Sequence, residues 1–224
     1  MRARLLRALV TAPPPSHQLV WGYSRPTTTP WSEGTTAGAW TLRFNGYGSA
    51  RILQDRSVGS PVLEESPAVA QSAGETHSTL VTSTASLGDF DMTVPVRTQA
   101  QLRLGTQPNP WEVGWVLWHY RDNTHFYYFI ARPDGWELGK ENPAYPGNQD
   151  FLLSGSTPTF PLGSWYSVRV REVGGSMAVW VNGALICTYV DRSNPYLSGA
   201  IGLYDEDAAV HFAPVVVAYG SAVN

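Results

Sequence analysis

The sequence is poor in cysteine, in charge and in long apolar runs. Cys187 is the one cysteine among 224 residues, which excludes an internal disulfide and a zinc site built from several cysteines. Charged residues make up 15% of the chain and the formal net charge is −3, so the basic stripe typical of nucleic-acid binding is missing. No apolar run reaches the roughly 18 residues of a membrane helix. We therefore expect a soluble protein with no nucleic-acid partner and no transmembrane segment.

The N-terminus also lacks the features of a secretion signal. Arg7 interrupts an apolar stretch that is already too short for the hydrophobic region of a signal peptide, so no signal peptide is predicted. A secreted or cell-surface location is compatible with the sequence, which does not fix the compartment. Cys187 lies in the apolar segment 185–190 and is interpreted as a small hydrophobic residue.

Aromatic residues, by contrast, are abundant. They form 12% of the chain, with 9 Trp and 11 Tyr, and hydrophobic residues reach 43%. Because tryptophan is seldom fully buried, some rings are predicted to lie in a groove or an interface. The alternative is that a wide core uses them as filler. A chain of 224 residues is long enough to bury one substantial core.

Composition divides the chain into two parts. Residues 1–37 contain a run of three prolines, a Thr-rich stretch and few periodic apolar positions, which predicts an extended N-terminal arm or linker. Three aromatic residues indicate that parts of this arm dock on the domain: Trp21, Tyr23 and Trp31. Residues 38–224 are predicted to form one domain.

Within that domain, short β-rich segments alternate with turn sequences. Four turns are marked by Gly, Pro, Asn and Asp, at 121–124, 132–135, 173–176 and 182–183. No window keeps a helical period for more than two turns. Many short strands without crossover helices predict an all-β fold, a two-sheet antiparallel jelly-roll sandwich.

Hairpin register then assigns side chains to faces. With 121–124 and 132–135 as four-residue loops, Tyr120 pairs with His125, and Ala131 pairs with Trp136. One face of the ribbon is then predicted to be core, with Val116, Trp118, Tyr120, Tyr127, Phe129, Trp136 and Leu138. The opposite face mixes rings with an imidazole and two carboxylates, with Trp115, Leu117, His119, Phe126, Tyr128, Ile130, Glu137 and Glu141.

The mixed face favours an open groove that binds a carbohydrate. A buried face would not tolerate unpaired carboxylates, and a solvated face would not carry so many rings. Sugar C–H faces can pack on the rings while polar groups take the hydroxyls. The predicted ligand-binding residues are Trp115, His119, Tyr128, Glu137 and Glu141. The alternative is a face covered by the N-terminal arm.

The C-terminal hairpins give a second register. With the turn at 173–176, Arg169 lies opposite Trp180 and Val168 lies opposite Val181. The two-residue turn 182–183 then places Ile186 opposite Val179.

Three stretches carry a resemblance to a known superfamily: GDFDM at 88–92, WYSVRVREVGGSMAVWVNGALI at 165–186, and SGAIGLYDEDAAVHFAPVVV at 198–217. Over roughly residues 39–219 the chain resembles the concanavalin A-like lectin/glucanase superfamily, specifically its laminin-G-like and 3-keto-disaccharide hydrolase-like domains. The resemblance implies a concave sheet that often receives a glycan, and frequently a structural calcium ion near the chain ends.

Departures from the superfamily leave the activity open. The laminarinase-type signature E-x-D-x-x-E is approached only by Glu137 and Glu141, with Gly139 in place of the aspartate. Residues four apart on a strand lie about 13 Å apart, too far for a glycosidase carboxylate pair. One glutamate with His119 could instead abstract a proton. If the protein is an enzyme, a glycoside hydrolase or lyase, its catalytic residues are predicted to be Glu137, Glu141 and His119.

Two further alternatives remain at this stage. Calcium could be held by Asp205, Glu206 and Asp207, or by Asp89 and Asp91, because carboxylate oxygens suit that ion. However, Ala213 and Pro214 stand where calcium-binding relatives often carry Asp. A non-catalytic adhesion or assembly module would explain the arm and the missing catalytic signature. The glycan and the oligomeric state are not predicted.

Overall fold

The structure, a computed structural model, describes residues 9–10, 18–27 and 29–219. Within these ranges seventeen strands form two antiparallel sheets, which confirms the predicted all-β sandwich. In chain order they are β1 (Leu19–Trp21), β2 (Thr36–Ala37), β3 (Trp40–Phe44), β4 (Ser49–Asp55), β5 (Ser60–Ser66), β6 (Ser78–Leu87), β7 (Phe90–Gln101), β8 (Gly114–Asp122), β9 (His125–Arg132), β10 (Gly135–Glu141), β11 (Gln149–Gly155), β12 (Tyr166–Val173), β13 (Ser176–Val181), β14 (Ala184–Val190), β15 (Gly199–Glu206), β16 (Ala208–Phe212) and β17 (Val215–Tyr219). A short 3-10 helix, Pro146–Asn148, precedes β11.

The two sheets pack face to face around one core. Sheet A has the order β14-β13-β12-β7-β16-β5-β4, with β17 pairing with both β7 and β1. Sheet B has the order β11-β10-β9-β8-β15-β6-β3-β2. Alternation places Trp40 and Leu42 of β3 in the core, together with Met92 and Val94 of β7.

Part of the N-terminal arm packs on the sandwich, as the sequence predicts. Strand β1 pairs with β17, and Trp21 and Tyr23 lie with their ring centroids 5.9 and 6.2 Å from that of Trp40. Trp31 is buried, and its backbone N–H donates to the carbonyl of Ala50. The segment assessed for a signal peptide lies outside the described residues, except for residues 9–10. No helix in the described ranges is long and apolar enough to cross a membrane.

The β12-β13-β14 hairpins confirm most of the predicted register. Arg169 pairs with Trp180 and its guanidinium carbon lies 4.6 Å from the indole centroid. The residue opposite Val179 is Cys187 rather than Ile186, because a β-bulge shifts the register between β13 and β14. Cys187 is buried in the core, and burial raises the pKa of its thiol to about 12.

A second bulge corrects the predicted ribbon β8-β9-β10. The pairs of Trp118 with Tyr127 and of Ala131 with Trp136 are confirmed, but His125 pairs with Asp122 rather than with Tyr120. The turn therefore contains only two residues, and the register shifts between Trp118 and Asp122. The placement of His119 on the open face and of Tyr120 in the core is wrong.

Candidate functional site

The outer face of sheet B carries a cavity of about 270 Å³ above strands β8, β10, β11 and β15. Its lining combines aromatic rings with carboxylate, guanidinium and amide groups: Trp111, Trp115, Arg132, Glu137, Gln149, Phe151 and Glu206. Pockets with apolar walls and a few convergent polar groups are typical of small-molecule sites.

The rings of this face divide into a floor and a rim. Trp115 and Tyr128, both predicted to bind ligand, lie in the floor at 4% and 0% exposure with centroids 4.7 Å apart. The exposed rings that line the cavity are Trp111 at 43% and Phe151 at 62%. The floor rings shape the cavity, and the rim rings are the ones that a ligand can reach.

Glu137 is held in place by two neighbours. The Tyr128 hydroxyl donates to its Oε1 at 2.8 Å, and Arg132 Nη1 donates to Oε2 at 3.2 Å. Tyr128 reaches this position by lying across Gly139, where a Cβ would overlap the phenol ring. The glycine found in place of a catalytic aspartate is therefore required by the ring that crosses it.

Two further glutamates keep their protons to near neutral pH. Burial, together with the nearby Glu206 carboxylate, raises the pKa of Glu141 to about 7, although a hydrogen bond from Gln149 lowers it. Burial likewise raises the pKa of Glu206 to about 7, with Tyr204 lowering it and Asp207 raising it. Carboxyl groups with such pKa values can donate or accept a proton near pH 7.

His119 lies on the other side of the sheet, between the two layers. Its backbone is left-handed, with φ of 50°, and its ring is 1% exposed. Nδ1 lies 2.5 Å from the carbonyl oxygen of Tyr196 and Nε2 lies 3.1 Å from that of Gly88. Burial lowers the pKa of His119. The imidazole therefore does not face the cavity, and it cannot serve there with Glu141.

The loop that presents Trp111 is fixed by a buried charge network. Arg103 donates through Nε to Glu112 Oε1 and through Nη2 to Asp207 Oδ2, both at 2.6 Å. In turn, Trp115 Nε1 donates to the carbonyl of Trp111 at 2.9 Å. These bonds tie the loop to Asp207, the residue between β15 and β16, and to the floor of the cavity.

The acidic residues considered for calcium do not converge. Asp205 is buried and its Oδ2 accepts from the backbone of Thr79, while Asp207 pairs with Arg103. Asp91 pairs with Arg169. Asp89 accepts from the backbone of Gly174. Among the described residues no group of three or more His, Cys, Asp or Glu side chains is arranged to hold a metal. Asp89, Asp91, Asp205 and Asp207 are therefore each engaged with a different group of the protein.

Sequence reasoning missed five lining residues, Trp111, Arg132, Gln149, Phe151 and Glu206. Gln149 and Phe151 belong to β11, whose short sequence QDFLLSG shows weak alternation and was not recognised as a strand. The segment could have been found only from the fold, in which the chain that follows β10 returns as β11 and pairs with it.

Comparisons with known proteins agree with this architecture. The sequence profile of a family described as the 3-keto-alpha-glucoside-1,2-lyase-like domain matches residues 27–217. No curated protein matches the sequence.

Three solved structures share the fold. The carbohydrate binding module CBM66 from Bacillus subtilis has 15% identity and a TM-score of 0.57, over 79% of this chain and 93% of that chain. The exoplasmic/lumenal domain of VIP36 in its Ca²⁺/Man-bound form has 12% identity and a TM-score of 0.56, over 93% and 91%. A carbohydrate esterase from the Shiga toxin-encoding bacteriophage phi24B has 12% identity and a TM-score of 0.50, over 82% and 91%.

Proposed function

The chain belongs to the 3-keto-alpha-glucoside-1,2-lyase-like domain family, and from this premise we propose that it binds a carbohydrate in the cavity between Trp111 and Phe151. The family description refers to a glucoside, and the solved structures of the same fold include a carbohydrate binding module and a Man-bound domain. The proposal rests on these names and on the chemistry of the cavity.

One observation carries the proposal: two exposed rings face a common cavity whose walls are polar. A pyranose offers an apolar C–H face and a rim of hydroxyls. Trp111 and Phe151 can pack on the first, while Glu137, Arg132 and Gln149 can accept from or donate to the second. Because Glu137 is already fixed by Tyr128 and Arg132, its orientation does not have to be ordered when a ligand binds.

The test separates the rim from the floor. In affinity electrophoresis against a panel of soluble neutral polysaccharides, Trp111→Ala should lose retention while its melting temperature stays close to that of the parent, since the ring is half exposed. Tyr47→Ala is the matched control, because Tyr47 is 90% exposed on the turn between β3 and β4 and does not line the cavity. Equal retention of the parent and Trp111→Ala would refute the binding site.

A second candidate function, cleavage of the bound sugar, is favoured by the two glutamates whose pKa is raised to about 7. In a 3-keto glucoside the C2 proton is acidified by the neighbouring ketone, and a carboxylate with a pKa of about 7, such as Glu206 or Glu141, has the basicity to accept it. The electrons of the broken C2–H bond would form a C1–C2 double bond as the C1–O bond breaks, and the departing oxygen would take a proton from solvent, which completes a 1,2-elimination. His119 takes no part in this candidate mechanism.

This candidate is tested with a 3-keto disaccharide as substrate, by following the release of its two halves. The glutamine variant of whichever glutamate is the base, Glu206 or Glu141, should lower the rate by about a hundredfold or more. Glu33→Gln is the control, since Glu33 is exposed on a loop and does not line the cavity. Unchanged rates in both glutamine variants would exclude these residues as the base.

A further inference from the structure

A second groove lies beside the cavity, next to the bulge of β8. Its volume is about 510 Å³ and its lining is polar: Arg43, Tyr120, Arg121, Asp122, Asn123, Thr124 and Ala200. A neighbouring depression of about 310 Å³ shares Arg43, Tyr120, Arg121 and Ala200 and adds serine and threonine side chains of β6. The two together form one continuous surface, here called the arginine groove.

Two β-bulges create the arginine groove. The register of β3 against β6 shifts between Leu42 and Phe44, which leaves Arg43 as the extra residue. The register of β8 shifts between Trp118 and Asp122, which turns His119 into the core and Tyr120 outward. Bulges re-aim side chains and are common beside functional sites.

Both arginines are anchored by Nε, which leaves their terminal nitrogens available. Arg43 Nε donates to Thr82 Oγ1 at 2.8 Å, and Arg121 Nε donates to the carbonyl of Ser198 at 3.1 Å. The Arg121 guanidinium also lies 5.2 Å from the Tyr196 ring centroid. Neither arginine forms an ion pair with any carboxylate in the described part of the chain. An anchored guanidinium loses less freedom when it binds an anion through its planar fork.

The one acidic side chain of the arginine groove is already engaged. Asp122 Oδ1 accepts from the backbone and hydroxyl of Thr124, both at 2.8 Å, and lies 2.9 Å from His125 Nδ1. Partial burial raises the pKa of Asp122, but these hydrogen bonds lower it more, so the pKa lies below its usual value. Tyr120 donates to Asn123 and carries no charge near pH 7. The arginine groove thus contains two cations, Arg43 and Arg121, and one carboxylate, Asp122, whose hydrogen bonds lie within its own turn.

A row of rings connects the arginine groove to the cavity. The centroid of Phe126 lies 5.9 Å from that of Tyr120 and 6.4 Å from that of Tyr128, which in turn packs against Trp115. Because Phe126, Tyr128 and Trp115 are buried, a ligand does not contact them along the row. Their packing with Tyr120 places the arginine groove and the cavity on the same side of sheet B, where one extended ligand could reach both. We propose that the arginine groove binds an anionic substituent, a carboxylate or a sulfate ester, of a glycan whose neutral part occupies the cavity. This inference rests on the proposed function.

The experiment measures Kd at low salt for sodium polygalacturonate, for dextran sulfate and for neutral dextran. The first two polymers should bind, and Arg43→Gln and Arg121→Gln should each weaken their binding by about tenfold or more, because a hydrogen bond to a charged group is lost. The tighter of the two anionic polymers identifies carboxylate or sulfate. Arg56→Gln, an equal charge change on the exposed turn of sheet A, is the control and should change Kd by less than about twofold.

Three results would refute either the arginine groove or the cavity as a binding site. Failure of both anionic polymers to bind, or an equal loss in Arg56→Gln, would overturn the arginine groove. The arginine groove would also be overturned if neutral dextran binds through Trp111 and the anionic polymers bind no more tightly than neutral dextran. That result would support the proposed cavity. Anionic binding that Arg121→Gln abolishes and Trp111→Ala leaves unchanged would refute the cavity instead.

Discussion

Replacing Gly139 with alanine tests the packing on which the cavity depends. Gly139 lies directly opposite Tyr128 in the β9-β10 ladder, and the phenol ring crosses the space that a Cβ would take. A strand position would otherwise gain roughly 0.5–1 kcal/mol from alanine, because glycine loses more backbone entropy on folding. The sign of the effect therefore depends on the ring.

The cost follows from two contacts. Forcing the ring of Tyr128 aside overpacks the floor by about 1–3 kcal/mol. Breaking its hydrogen bond to Glu137 leaves a buried carboxylate oxygen without that donor, for about 1–3 kcal/mol more. After the backbone gain, we expect Gly139→Ala to destabilise the protein by about 1–5 kcal/mol. The melting temperature should fall by about 2–20 °C.

Urea denaturation of a double-mutant cycle checks this reasoning. In the Tyr128→Ala background the added methyl has no ring to displace, so Gly139→Ala should there be neutral or stabilising, with a coupling energy of about 2 kcal/mol or more. Gly74→Ala is the control, since its Cβ would meet no atom within 4 Å. A Gly139→Ala protein as stable as the parent would show that the ring does not lie across β10.

Three other perturbations follow from buried groups. Arg103→Met should lower the free energy of unfolding in urea by about 3–5 kcal/mol, because Glu112 and Asp207 stay buried without their partner. The pKa of Glu206 is raised from 4.5 to about 7, so its contribution to stability is present below about pH 4.5 and is lost as the pH rises to about 7. Glu206→Gln should reduce the slope of the unfolding free energy against pH in this window. An unchanged slope would contradict the raised pKa. The thiol of Cys187, with a pKa raised to about 12, should react with a disulfide reagent at pH 8 only as fast as the protein unfolds, and rapid labelling of the folded protein would place it at the surface.

The division of the site into floor and rim changes how its residues are to be probed. Substitution of Trp115 or Tyr128 removes a buried ring, which typically costs about 3–5 kcal/mol, and so reports on stability before it reports on binding. Substitution of Trp111 or Phe151 removes an exposed ring and tests the proposed binding. Only the second pair gives an interpretable binding experiment.

The sequence by itself determined the fold class and most of the hairpin register. Alternation with period two and the turns at 132–135 and 173–176 correctly paired Ala131 with Trp136 and Arg169 with Trp180. These features are local, because a short loop between two strands fixes which residues face each other. The motifs at 88–92, 165–186 and 198–217 likewise indicated the family, whose sequence profile matches residues 27–217.

Tertiary structure alone decided which side chains line the cavity. The bulge in β8 exchanged the faces of His119 and Tyr120, and no residue type at 119–121 distinguishes a two-residue turn with a bulge from a four-residue loop. Strands that are not adjacent to β8 in the sequence also contribute to the cavity. Strand β11 supplies Phe151 of the rim, and β15 supplies Glu206. A strand's own pattern assigns a side chain to a face, but whether that side chain is covered depends on what the rest of the chain packs over it.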